Sequence, residues 1–283
     1  MGRRAVRDNG GMTVEVEGVV LHLSHPVDYP AEWIGQQEVM RELLAAWMSL
    51  GEDDLPMNPR ITGKPGVGKT TLACAAARQL GKEVYILQGT VDMRPEDLIV
   101  QPVVEGPGKL KYVASPLVSA MLRGGVAILD EANRMPEKSW ASLAPLLDAR
   151  RYVESVVAGI KIYAGPGFRL ACTMNEDAST FDLPEYIFSR LQPQIHIDFP
   201  DEDEELMILR QNLPQTDEQV LLLIGELLRA AHEQDEPYTA RDGIHIGRYA
   251  TRLLECGRSP DVRSALHQAV RQVLGEEALR YVP

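Results

Sequence analysis

Cysteine is scarce in this chain: 283 residues hold three, Cys74, Cys172 and Cys256, far apart and with no C-x-x-C spacing. That excludes a disulfide framework and a zinc ribbon, reads as small core or surface residues, and fits a reducing, cytoplasmic setting. No apolar run approaches the ~18 residues of a membrane-spanning helix. Met1-Gly2-Arg3-Arg4 is basic, but the apolar stretch of a secretion signal does not follow it. Basic residues are outnumbered, 29 Lys and Arg against 41 Asp and Glu for a net charge of −12. A general electrostatic footprint for nucleic acid is therefore missing, and only a local basic channel in an oligomer stays compatible with such a partner. Internal repeats and low-complexity segments are also missing. Apolar residues are ample at 45%, and the length exceeds one typical domain, so a core with an appended domain is expected.

Against that background stands Gly63 to Thr70, GKPGVGKT, which fits the phosphate-binding pattern G-x-x-x-x-G-K-[ST]. A triphosphate needs many donors at close range, and glycines at 63, 66 and 68 let backbone N–H groups curl round it. Lys69 is expected to reach the β- and γ-phosphates and Thr70 the Mg2+. A helix from Lys69, with Leu72, Ala73, Ala76 and Leu80 inward, would point its positive end at those phosphates. The preceding strand, Arg60-Ile61-Thr62, is short and rather polar.

Residues 1–30 read as a polar arm followed by one alternating stretch, Val14, Val16, Val20, a strand or short hairpin of undetermined role. A helix is expected over Gln37 to Met48, on the spacing of Val39, Leu43, Ala46 and Trp47. From Arg60 to Phe199 short apolar strands alternate with helices, which argues for a parallel α/β sheet of five strands with helices on both faces. The strands are Arg60 to Thr62, Val84 to Gln88, Val126 to Leu129, Phe168 to Thr173 and Gln194 to Ile197. Two β-hairpins interrupt the alternation, over about 99–113 and 151–163. Beyond Pro200 the pattern is helical only, with Asp201, Asp217 and Asp261 as N-caps and the acidic run Glu202 to Glu205 as a solvated first turn. The chain thus divides into residues 1–30, an α/β core over 31–199 and a helical lid domain over 200–283.

Val126 to Glu131, VAILDE, is a buried strand ending in two carboxylates where the mouth of an α/β site lies. Asp130 is placed to act on Mg2+ and Glu131 to polarise the attacking water. The next strand ends Cys172-Thr173-Met174-Asn175, and Asn175 is placed to orient the same water. Arg190, in FSRL, and Arg241, in TARDG, are candidates to stabilise phosphate charge.

In order and spacing, GKPGVGKT, VAILDEAN, CTMN and FSRL resemble an AAA+ ATPase. Ser115-Pro116-Leu117, DEANRM, Leu143 to Asp148 and the hairpin Arg151 to Tyr163 resemble its MoxR and dynein-related branch more narrowly. The resemblance covers residues 31–255. It implies Gly63, Pro65, Gly66, Val67, Gly68, Lys69, Thr70 and Thr71 as Walker A, with Thr70 and Asp130 at Mg2+, and Asp130 with Glu131 as Walker B. It further implies Asn175 as sensor 1, Arg190 as arginine finger, Arg241 as sensor 2, and Ile34 with Gly35 beside the nucleotide base. Two departures stand out: Glu176 replaces a common proline and Leu191 a common phenylalanine, the first pointing toward the CbbQ- and McrB-like side. The resemblance implies ATP as cofactor, a homo-oligomeric ring of six, a client protein to be remodelled, matured or reactivated, and a von Willebrand factor A domain adaptor. The alternative it leaves is an NTP-driven, GTP-using motor subunit of a McrB-like nucleic-acid system.

Overall fold

A computed structural model describes residues 7–8, 12–30, 32–51, 54–176 and 183–283. The chain divides into two compact units, the second made of Ile34–Gln37, Lys64–Gly68 and Ile197–Pro283 and the first of the remainder.

The first unit begins with β1 (Arg7–Asp8), β2 (Thr13–Val16) and β3 (Val19–His22). Glu17 and Gly18 both take positive φ, 51° and 86°, the backbone of a two-residue hairpin turn. Of the strand or short hairpin read in the sequence, the stretch is therefore the hairpin. Val14 pairs with Leu21 and Glu15 with Val20, so Leu21 joins Val14 and Val16 inside while Val20 is 44% exposed.

Helix α1 (Gln37–Trp47) buries Met40, Leu43, Ala46 and Trp47, and the Trp47 Nε1–H donates to Leu170 O at 2.8 Å. Strand β4 (Arg60–Gly63) is buried throughout. Its polar first residue is accommodated because Arg60 donates to Leu191 O at 2.6 Å and to Gln194 Oε1 at 2.8 Å, and stacks on Phe188. Next come α2 (Lys69–Gln79) and β5 (Val84–Gln88). Leu80, expected inward on α2, falls just past the helix end and is 41% exposed.

Helix α3 (Pro95–Leu98) leads into a hairpin of β6 (Val100–Gly106) and β7 (Lys109–Ala114). Strand β7 pairs in parallel with β3, Leu21 opposite Tyr112, so this hairpin and the N-terminal one form a single mixed sheet in the order β1-β2-β3-β7-β6. Helix α4 (Pro116–Arg123) is capped at its start by Ser115, which accepts from Val118 N, and at its end by Gly124 with φ 70°. After β8 (Val126–Asp130) and α5 (Glu137–Leu143), the second hairpin forms as β9 (Tyr152–Ser155) and β10 (Ile160–Tyr163). The unit closes with β11 (Arg169–Asn175), α6 (Glu185–Phe188) and β12 (Gln194–Ile197).

The five strands expected from the sequence make one parallel sheet in the order β12-β4-β11-β8-β5. Its register sets Asn175 opposite Gly63 and Cys172 opposite Leu129. The carboxyl ends of β4, β8 and β11 therefore open on the same edge, where ligands of open α/β sheets bind.

The second unit carries α7 (Glu202–Asn212), α8 (Glu218–His232), α9 (Ala240–Glu255) and α10 (Val262–Val273). Asp201, Asp217 and Asp261 each accept a backbone N–H of the first turn at 2.8 Å, as caps. Leu209, Ile224, Leu228, Ile246, Leu266 and Val270 meet in its core. The acidic run departs from the expectation of a solvated turn, because Glu205 is 3% exposed. Among the described residues no helix is long and apolar enough to cross a membrane.

Candidate active site

The loop between β4 and α2 is held open by its glycines. Gly63, Gly66 and Gly68 have φ of 144°, 91° and 99°, a region that side-chain-bearing residues avoid. This turn delivers Lys69 and Thr70 to the first turn of α2, a helix start of the kind that suits phosphate. Lys69 is buried, and its Nζ donates to Gly63 O at 2.8 Å.

Helix α2 and strand β11 converge on Asp130, the last residue of β8. Thr70 Oγ1 donates to Asp130 Oδ1 at 2.6 Å, and Thr173 Oγ1 donates to the same oxygen at 2.6 Å. A hydroxyl and a carboxylate are hard oxygen donors of the kind Mg2+ takes, with phosphates and water filling the rest of its shell. The donor set of Thr70 and Asp130 thus fits that ion.

Glu131 follows the strand end in a left-handed backbone, φ 50°. Its N–H donates to Thr173 Oγ1 at 3.0 Å. One carboxylate oxygen accepts from Asn175 Nδ2 at 3.2 Å, and the other lies 2.8 Å from Arg134 Nε. Arg134 Nε–H is not aligned as a hydrogen bond to it, so this pair is held by charge. Asn175 is itself fixed by Asn133, whose Nδ2 donates to Asn175 O at 2.8 Å. Cys74 packs near Asp130; burial first, and the Asp130 charge second, push its thiol up to about 12. It is inert at neutral pH.

Lys64–Gly68 makes close contacts within the second unit, to which it belongs. A Cβ on Gly66 would come within 2.5 Å of Thr239 Oγ1, and Thr239 caps α9, donating its N–H to Asp242 Oδ2 at 2.8 Å. Arg241 is exposed in that first helical turn. Lys64 Nζ lies 4.5 Å above the ring of Phe199, which stacks on His232 at 4.0 Å. Ile34 is half-buried, and Gly35 has φ 72° with the Glu204 carboxyl where a Cβ would stand, 2.3 Å away. Glu204 Oε1 accepts the Gln36 N–H at 2.6 Å. Pro65 is exposed, Val67 and Thr71 are half-buried, and Thr71 Oγ1 meets Tyr29 OH at 3.2 Å.

Arg190 stands apart from this cluster. Its contacts are Tyr186 O and the Asp148 carboxylate, the latter 3.5 Å from Nε. Hydrogen bonds from the Arg150 guanidinium hold the Asp148 carboxyl down at about 2, with the Arg190 charge a smaller cause.

The structure thus pairs Thr70 with Asp130 and Glu131 with Asn175. Sequence reading passed over Thr173, which links the two pairs, and Asn133 and Arg134, which hold Asn175 and Glu131. Thr173 had a signal: it is a hydroxyl inside an apolar strand, two residues before Asn175 and so on the same face.

Known proteins agree with this architecture. Residues 60–191 match the family model described as AAA domain (dynein-related subfamily). Uncharacterized proteins of Staphylococcus aureus strains NCTC 8325 and COL are each 29% identical over 191 residues, covering 65% of this chain and 72% of theirs. Among solved structures, the Thermotoga maritima RuvB Holliday junction branch migration motor superposes with TM-score 0.58 at 18% identity. That match covers 84% of this chain and 70% of RuvB. A chain whose residues 60–191 match the AAA domain of the dynein-related subfamily, laid on this sheet order and this P-loop, has the AAA+ P-loop NTPase fold.

Proposed function

We propose that the protein is a MoxR-like AAA+ ATPase that couples ATP hydrolysis, in a homo-oligomeric ring of about six subunits, to remodelling, maturation or reactivation of a client protein. The observation that carries the hydrolytic part is the pairing of Asn175 Nδ2 with Glu131 Oε1 at 3.2 Å, next to an Asp130 already bonded to the P-loop threonine. A base held in place by an amide suits the activation of a single water.

In this reading the N–H groups of Gly63–Thr70 and Lys69 bind the phosphates, while Thr70 and Asp130 hold Mg2+, which would neutralise phosphate charge. Glu131 accepts a proton from the attacking water as that oxygen bonds to the γ-phosphorus. The bond from the γ-phosphorus to the β–γ bridging oxygen breaks, leaving ADP and inorganic phosphate. Asn175 keeps the Glu131 carboxylate and the water in line. Arg190 serves the γ-phosphate of a neighbouring subunit, Arg241 that of its own, and Ile34 with Gly35 bounds the base. A client, with or without a von Willebrand factor A domain adaptor, meets the two hairpins, whose exposed apolar residues include Val104 at 74% and Val156 at 89% exposure.

The test is phosphate release against protein concentration with ATP and with GTP, alongside particle mass. A rate per subunit that rises steeply with concentration, with a ring-sized particle, is expected. Glu131→Gln should bind nucleotide and assemble yet release no phosphate; ordinary release from it would remove Glu131 from the mechanism. DNA added to the same assay should leave the rate unchanged, and strong stimulation would favour a McrB-like motor instead.

A further inference from the structure

Glu131 is aimed by its backbone as much as by its side chain, and the backbone it adopts is one that side-chain-bearing residues leave when nothing holds them. Its φ of 50° lies in the left-handed region. Three bonds fix the turn. Gly89 N–H donates to Asp130 O at 2.6 Å, Arg134 N–H donates to Glu131 O at 3.0 Å, and Glu131 N–H donates to Thr173 Oγ1 at 3.0 Å. Of these, only the Thr173 bond uses a side chain. Thr173 is 1% exposed, so no solvent competes for it.

A threonine hydroxyl has one proton to give and lone pairs to accept with. Thr173 uses both sides: it gives its proton to Asp130 Oδ1 at 2.6 Å and accepts the Glu131 N–H at 3.0 Å. One oxygen atom therefore ties the carboxylate placed at Mg2+ to the peptide that carries the general base. Gly89 closes the opposite side, since a Cβ there would stand 2.6 Å from Glu131 O.

We propose that Thr173 is a positioning residue for hydrolysis, its hydroxyl holding Glu131 in the left-handed turn that sets the Glu131 carboxylate against Asn175. The inference rests on the hydrolytic reading of Asp130 and Glu131 above. Thr173 touches neither nucleotide nor water in this scheme and acts through the two acidic residues.

Thr173→Val exchanges the hydroxyl for a methyl of nearly the same shape, keeping the strand packed while removing both bonds. Its kcat is expected to fall on the order of 10- to 100-fold, the scale of a hydrogen bond to a charged group. KM for ATP should stay within about threefold, because the P-loop contacts are untouched. Thr173→Ser restores the hydroxyl and should return kcat to within about threefold of the parent. Unchanged kcat in Thr173→Val, or Thr173→Ser falling with it, overturns the inference. If Thr173→Val does not fold, Thr173→Ala removes the same hydroxyl and is judged the same way.

A crystal structure of the variant separates this inference from the functional reading. Glu131 is expected to leave the left-handed region and part from Asn175 when the hydroxyl is gone; an unchanged turn overturns the proposal. Should the parent protein hydrolyse neither ATP nor GTP, the hydrolytic reading fails, and the turn in the variant still decides whether Thr173 holds it.

Discussion

A carboxyl buried in the first turns of a helix gives this protein a pH signature. Glu205 sits in α7 with Oε1 shut away from solvent and, among the described residues, without a hydrogen-bond partner. Burial, and then the charge of Glu202, push its carboxyl from 4.5 up to about 8. The unfolded chain ionises there near 4.5, whereas the folded chain keeps the proton until about 8. The native state thus holds the extra proton across that window, and stability declines as pH rises through it. Glu205→Gln keeps the size and removes the ionisation. Denaturant unfolding should find the variant more stable by roughly 4 kcal/mol at pH 8, with the gain vanishing toward pH 4.5. Parallel stability curves for parent and variant would show that Glu205 does not titrate in this way.

At the scale of elements, α9 packs through glycine. A Cβ on Gly243 would meet methyls of Leu228, Leu209 and Ile224 at 2.9, 3.0 and 3.1 Å, three side chains from α7 and α8. Alanine at this position gains about 1 kcal/mol of helix propensity. Overpacking costs about 1–3 kcal/mol, and one rotamer change cannot relieve three neighbours at once. Gly243→Ala should therefore lower the melting temperature by several degrees, measured by thermal unfolding; a rise would mean that the helices part freely. Local pattern made much of these elements legible. The apolar runs marked all five strands of the parallel sheet, and the aspartates marked three helix starts. What it did not mark depends on partners distant in the chain. The parallel pairing of Leu21 with Tyr112, which joins the N-terminal hairpin to the β6–β7 hairpin, has no local signal. Burial of Glu205 is set by tertiary packing against the run of like charges that announces a solvated turn. Within the candidate site, motif spacing singled out Asp130, Glu131 and Asn175, which the structure brings together. Thr173 was legible only through the two-residue alternation that puts it on the face of Asn175.

At the scale of the molecule, the proposed ring makes each site depend on two subunits, and Arg190 is where that dependence is tested. Within its own chain Arg190 rests on Tyr186 O and Asp148, apart from Glu131. An arginine that serves a neighbour contributes on the order of 10³ or more in rate, so Arg190→Ala rings should be nearly inactive while still binding nucleotide. Glu131→Gln rings should be inactive for the opposite reason, with fingers intact and no base. Mixing the two inactive proteins in equal amounts builds interfaces in which an Arg190→Ala subunit provides Glu131 and a Glu131→Gln subunit provides Arg190. In random order half of the sites keep Glu131 and half of those face an intact arginine, so the mixture should recover about a quarter of the parent rate per subunit. Phosphate release from ring-sized mixed particles measures this directly. Recovery would place Arg190 in the neighbour's site, because neither protein supplies the missing group to itself. Mixed rings that stay inactive would mean that Arg190 works within its own subunit.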